Sequence, residues 1–360
     1  MTTTISTVST LQMLLTRRRM AADLQAQLTQ ASQEVSTGLR ADVYRSLGVR
    51  SAETLALRAR MDRNTGLITS NEVLANRMEM MAETLGQVRD RAQSFLELAV
   101  ANRDAPGATA GTLQAEARSA LQQLRSLINV SYHGAALFSG VDSGQAPLQG
   151  WEDVNPLTGL SPRDVAEGVI GGGIADAADA AAKIAAMETI FASADAVQPE
   201  RNFEATFYNG TPRLDAGGAP SPRLTAHIEE GITLSYGVQA NDEAFTELLR
   251  GLSMLAGTDA SAIADAGAYG AWVGAAVDAV SAGISGLIET EARLGGQQQI
   301  LEETIGQQND RNDLYNSQIL SLEGVDVYEA STRVSQLQTQ LEATYAVTAR
   351  LSQLSFLNFM

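Results

Sequence analysis

The sequence predicts a mainly α protein, a long antiparallel helical bundle or coiled coil formed by both chain ends, with a small α+β domain inserted between them. Three observations predict it. All eight prolines lie between Pro106 and Pro222, so both flanks are free of the residue that most reliably breaks helices. Apolar residues in those flanks recur at alternating steps of four and three. Two-residue alternation beside turn signals is confined to the middle.

Along the first flank, Ala21, Leu24, Leu28, Ala31 and Val35 form one stripe in a background rich in Gln, Ser and Thr. A stricter seam follows at Leu74, Met78, Met81, Leu85, Val88, Ala92, Phe95 and Ala99. Leu113, Ala117, Leu121, Leu124 and Ile128 predict another helix, which the breaker around Pro106 and Gly107 folds back antiparallel on the first. In the second flank the seam runs Val280, Ile284, Leu287, Glu291, Leu294, Gln298, Leu301, Ile305, Gln308, Asn312, Tyr315, Ile319 and Leu322. Its polar members are of the kind that fix register at a cost in stability. It is expected to complete a three-helix bundle with the hairpin. The last stripe is Val327, Ala330, Val334, Leu337, Leu341 and Tyr345. Both terminal stripes are expected to be marginal alone in water, because packing supplies most of a helix's stability. Read from periodicity, they await neighbouring chains or pair with each other in a closed monomer.

The middle reads as turn-rich over 141–165, an Ala-rich helix over 174–197, and a strand at Phe203, Ala205 and Phe207. A hairpin is expected where Leu224, Ala226 and Ile228 face Ile232, Leu234, Tyr236 and Val238 across Glu229-Glu230-Gly231. Asn241 is expected to cap a helix carrying Phe245, Leu248, Leu249, Leu252 and Leu255. Trp151 and Trp272 are expected to pack in or beside this domain. The organisation is therefore 1–40, an assembly helix; 41–140, the first part of the rod; 141–279, the inserted domain; 280–324, the rod's return; and 325–360, a second assembly helix.

Composition removes several function classes. The chain has no cysteine and only two histidines, His133 and His227, which excludes disulfide scaffolds, thiol nucleophiles and three-histidine metal sites. The formal charge of −17 opposes nucleic acid and anionic membranes as partners. No 18-residue apolar run is evident, and Arg17, Arg18 and Arg19 follow the first apolar residues in the reverse of secretory-signal order. Gly171-Gly172-Gly173 lacks the Gly-Lys-Ser/Thr of a phosphate loop, and no Gly-x-Ser-x-Gly elbow accompanies His133. His133 is expected at a helix terminus and His227 on a strand face. The acidic middle lacks the Asp-x-Asp-x-Asp spacing of a calcium loop. No catalytic, metal or cofactor-binding residue is assigned.

Gln33-Glu34-Val35-Ser36-Thr37-Gly38-Leu39-Arg40 resembles the Ser-Thr/Ser-Gly-Leu/Lys-Arg signature after the first helix of bacterial flagellins and their hook-associated relatives. The stretch from Leu341 to Met360 resembles the terminus of hook-filament junction proteins, Leu85 to Ala99 the superfamily's second helix, and 223–256 their hairpin and helix. Residues 141–222 resemble nothing nameable. Two departures separate the chain from filament flagellins. Ala41-Asp42-Val43-Tyr44-Arg45-Ser46-Leu47-Gly48 replaces Asn-Ser-Ala-x-Asp-Asp-Ala-Ala-Gly, and the end is Leu357-Asn358-Phe359-Met360 instead of a leucine pair and one more residue.

The resemblance implies a structural subunit joining hook to filament. It would be exported by the flagellar type III apparatus without a cleaved signal, its terminal helices ordering on assembly. The implied partners are neighbouring copies of itself, another hook-associated protein on the hook side, flagellin on the filament side, and an export chaperone. Leu24, Leu28, Val35, Val334, Leu337, Leu341, Tyr345, Leu351, Leu354 and Leu357 would form the assembly interface. Filament flagellin is the alternative. An exported enzyme on the same scaffold would have to place its site in 141–222, where no nucleophile, base and acid set occurs.

Overall fold

The computed structural model describes the backbone over 4–357 except 105 and 107–108, with side chains outside 1–11, 14 and 351–360. The chain divides into two compact units, a terminal unit of 1–66 with 307–360 and a central unit of 67–306.

The terminal unit contains α1 (Thr4–Thr37), α2 (Val43–Leu47), the first turns of α3 (Ser51–Val100), the last turns of α8 (Ala266–Glu323) and α9 (Val327–Leu357). Asn64 on α3 donates through Nδ2 to Gln308 O at 2.6 Å and Asn312 Oδ1 at 2.8 Å, and Asn312 Nδ2 donates to Thr65 Oγ1 at 3.0 Å. Asn64 and the polar seam residue Asn312, with the backbone carbonyl of Gln308, thus pin this antiparallel pair by hydrogen bonds that a slipped register would break.

The central unit holds the rest of α3, α4 (Leu113–Ile128), a minimal hairpin of β1 (Ser131–Tyr132) and β2 (Ala135–Ala136), α5 (Pro162–Ile170), and α6 (Ala177–Phe191). A second hairpin of β3 (Thr225–Glu229) and β4 (Ile232–Ser235), α7 (Glu243–Gly257) and the start of α8 complete it. Every member of the seam from Leu74 to Ala99 is buried, as is every apolar position read for α4. Antiparallel α3 and α8 are tied here by Arg89–Glu291 and by Arg103–Asp278 at 3.0 Å.

The expected three-helix bundle is corrected to four, because α7 lies along α4 and crosses α8. That crossing is made of small residues. A Cβ on Gly283 would stand 2.6 Å from Leu248 N, one on Gly251 2.5 Å from Ala276 O, and one on Gly286 2.8 Å from Ala244 Cβ. α8 also corrects the hydropathy reading: it is long and apolar enough to span a membrane, with an 18-residue stretch of mean hydropathy 1.5. Just over half of that stretch is buried within the protein, and Trp272, Val273, Ala276, Val277 and Val280 line the core, so α8 is a core helix.

Phe203–Phe207 is a single π-helical turn instead of a strand. Its turn stacks the Phe203 and Phe207 rings 5.5 Å apart and brings both against Phe191 on α6, burial that an alternating strand reading satisfies equally well on paper. The 225–235 hairpin pairs as expected, with Gly231 at φ 79° in the turn and a bulge between His227 and Glu229. His227 lies on the strand face beside Thr233 Oγ1, 3.0 Å from Nδ1. His133 sits in the β1–β2 turn at φ 50°, beyond the end of α4, and not at a helix terminus. The cap of α7 is Asp242, since Asn241 spends its amide on Glu204 Oε1 at 2.6 Å and Thr211 O at 3.1 Å.

Three aspartates in this unit are held below the usual carboxylate range. Asp164 accepts from Ser161 Oγ and N in a capping box, Asp179 from Lys183 and Ala175 N, and Asp195 from Gln198 N, Arg201 and Val197 N. A depressed carboxyl stabilises the fold fully above its unfolded value of 3.8, and that contribution is lost as pH falls through the lower folded value. Thermal unfolding of the central unit is therefore expected to be level down to about pH 5 and to drop below about pH 4. A midpoint that rises on acidification through this window would contradict the assignment.

Candidate assembly surface

Antiparallel α1 and α9 form the most extensive helix pair of the terminal unit. Of the two readings of the terminal stripes, the single chain has the second: they face each other. Leu24, Leu28, Val35 and Val334 are half-buried, Ala31 and Ala330 are buried, and Leu337 and Leu341 are 7 % and 9 % exposed. Tyr345 is 54 % exposed. Two successive steps of four, from Leu337 to Leu341 to Tyr345, advance about 40° each past a full turn and carry the ring off the stripe. Half-buried Thr344 takes its place. The side chains of Leu351, Leu354 and Leu357 lie outside the described residues.

The recognised signature fastens the pair at one end. Gly38, at φ 70°, terminates α1, and its carbonyl accepts from Val325 N at 3.0 Å while Arg40 N donates to Glu323 O at 2.8 Å. Leu39 and Gly324 thereby form an isolated antiparallel bridge. Beside it, Arg58 makes a two-pronged contact with the carboxylate of Glu323, which is 2 % exposed, and this hydrogen bond raises the guanidinium's proton affinity. Glu34 Oε1 accepts from Ala41 N at 3.2 Å.

The unit's apolar core is small. Its buried apolar side chains, among the described residues, are Ala31, Leu57, Ile319, Leu322, Ala330, Leu337 and Leu341. An outer apolar set stays in solvent: Met13, Leu15 and Met20 on α1, Tyr44 and Val49 after it, and Tyr328, Tyr345 and Val347 on α9. The periodic reading named Tyr345 but missed the rest of this set because it followed one stripe per helix; apolar residues off that stripe were the available signal. The hydroxyls around it make few demands on water. Thr16, Thr29, Ser331, Thr332, Ser335, Thr339, Thr344 and Thr348 each donate to the carbonyl four residues back. Covering such a surface leaves few donors unpaired. Charge is segregated too: Lys and Arg number 12 against 11 Asp and Glu in the terminal unit, and 13 against 31 in the central one.

Among the described residues, no three His, Asp or Glu side chains converge as a metal site. Gly171-Gly172-Gly173 ends α5, and Lys183 binds Gly173 O and Asp179. A shallow cleft in the central unit is lined by Leu121, Arg125, Trp151, Phe203, Phe207 and Leu249.

Residues 8–143 match the model of the bacterial flagellin N-terminal helical region, and 277–360 that of the bacterial flagellin C-terminal helical region. The chain belongs to the bacterial flagellin superfamily. No curated protein matches it at a significant level. As a flagellin-superfamily protein it is a structural subunit of the extracellular bacterial flagellum, not an enzyme, and it assembles with neighbouring subunits. The two matched regions take in α9 and all of α1 from residue 8 onward, and extend into the central unit over 67–143 and 277–306.

Proposed function

We propose that this flagellin-superfamily subunit joins hook to filament. The observation that carries the reading is the stretch 41–48, where the sequence abandons the filament-flagellin pattern. Those residues form the short α2, capped by Asp42 Oδ1 accepting from Arg45 N at 3.0 Å, and present Tyr44 to solvent, as the next residue does Val49. The Leu357-Asn358-Phe359-Met360 ending supports the same reading.

In this role the subunit is exported through the flagellar type III apparatus without a cleaved signal, aided by a chaperone. Its neighbours are copies of itself around the ring, another hook-associated protein toward the hook, and flagellin toward the filament. The ends order fully as neighbours cover the outer apolar set, which couples folding to binding. Leu24, Leu28, Val35, Val334, Leu337 and Leu341 hold together the terminal pair that the assembly uses, and Tyr345, with Leu351, Leu354 and Leu357, supplies its contacts to neighbours. Neither nucleic acid nor membrane is a partner, and no cofactor is required.

A junction subunit meets different proteins on its two axial faces, whereas a filament subunit meets itself. Deletion of the gene is expected to leave cells that build hooks but shed unpolymerised flagellin, and the pure protein is expected to form no long filaments when seeded. Long filaments of this chain alone, or normal filaments on deletion cells, would replace the junction by filament flagellin.

A further inference from the structure

Three segments of the central unit cross at Thr211. Thr211 N donates to Ser139 O at 2.8 Å, Asn241 Nδ2 donates to Thr211 O at 3.1 Å, and Asp142 N donates to Thr211 Oγ1 at 2.9 Å. Two glycines keep the crossing open to side chains from elsewhere. A Cβ on Gly140, at φ 77°, would collide with the Gln239 amide and Thr211, and one on Gly210 with Ser139 O and the Tyr208 ring.

Around this point Ser139, Gln239 and Asn241 are 0 %, 1 % and 1 % exposed, yet Ser139 Oγ, Gln239 Nε2 and Asn241 Oδ1 have no protein partner. Asn241 cannot correct this by turning its amide. Its Nδ2 already serves two acceptors, Glu204 Oε1 and Thr211 O, and the reversed amide would set oxygen against both. Three orphaned polar side-chain atoms at one buried crossing are far from the norm, and each left unpaired is costly.

We infer that Ser139, Gln239 and Asn241 bind a buried water molecule that bolts the three segments together. The chemistry of the set selects it. Gln239 offers N–H donors, which repel a cation; Asn241 offers an acceptor, which repels an anion; Ser139 Oγ can do either. Only a small neutral group that donates and accepts at once satisfies all three, and water bridging otherwise unsatisfied groups is the usual solution.

The test is a high-resolution crystal structure of the full chain, with parallel rubidium and bromide soaks read by anomalous scattering. The expected result is one density peak about 2.7–3.2 Å from all three atoms, with no anomalous signal from either soak. The double variant Gln239→Leu with Asn241→Leu should lose the peak, whereas Ser139→Ala should keep it. An anomalous peak at the crossing would make the site ionic and overturn the inference. So would direct contacts among the three side chains with no density between them.

Discussion

Gly283→Val is expected to be among the most damaging single substitutions in the central unit, lowering its stability by about 3 kcal/mol or more. The new side chain would begin within 2.8 Å of Leu248 N, Cβ and Cα. Those are mainly backbone positions of a helix packed along α4, so no flexible side-chain end can give way. Gly274, on the same helix, is the control: nothing lies within 4 Å of its Cβ position, and Gly274→Ala is expected to add about 0.5–1 kcal/mol. Urea unfolding followed by the fluorescence of buried Trp272, whose Nε1 donates to Met254 O at 3.3 Å, measures both. Equal effects of the two substitutions would refute the close crossing.

On the assembly surface, Met20→Asp combined with Tyr345→Asp is expected to abolish incorporation into flagella while leaving the monomer's unfolding within about 1 kcal/mol of the parent. Both side chains are more than half exposed in the single chain, at 57 % and 54 %, so a carboxylate there costs the monomer little. In an assembly that covers them, an unpaired charge is strongly disfavoured. Leu337→Ala supplies the contrast. It faces α1 within its own chain and should weaken the terminal pair by about 2 kcal/mol, with earlier proteolysis of both ends. Wild-type incorporation of the aspartate variant would place these residues on the solvent side of the assembled subunit.

The helices of the rod were legible because their period and their burial coincide. From Leu74 to Ala99, each step of four or three returns to one line, and each residue on that line is buried. Where two structures satisfy one pattern, the sequence could not choose. Phe203 and Phe207 share a face in a strand and equally in one π turn, and only the packing of Phe191 decides between them. The partner of α7 was equally hidden, because Gly251, Gly283 and Gly286 carry no hydrophobic signal although they set how closely two helices approach. At the ends, the stripes named most of the facing residues but were silent about what they face. The signature Ser36-Thr37-Gly38-Leu39-Arg40 spoke of kinship before the structure gave its bonds.

Those bonds bear on how the ends find each other. Joining Leu39 to Gly324 closes a loop of roughly 285 residues, an entropic cost that grows only with the logarithm of loop length. Once that loop is closed, the end of α1 and the start of α9 lie within a few residues of the bridge, and each further turn of α1 against α9 closes no new loop of any size. The effective concentration of one helix at the other is then that of a short tether, not of two ends of a long chain. The pair behaves as a zip sewn at its base: it opens from the ends away from the bridge and closes again without searching for its register.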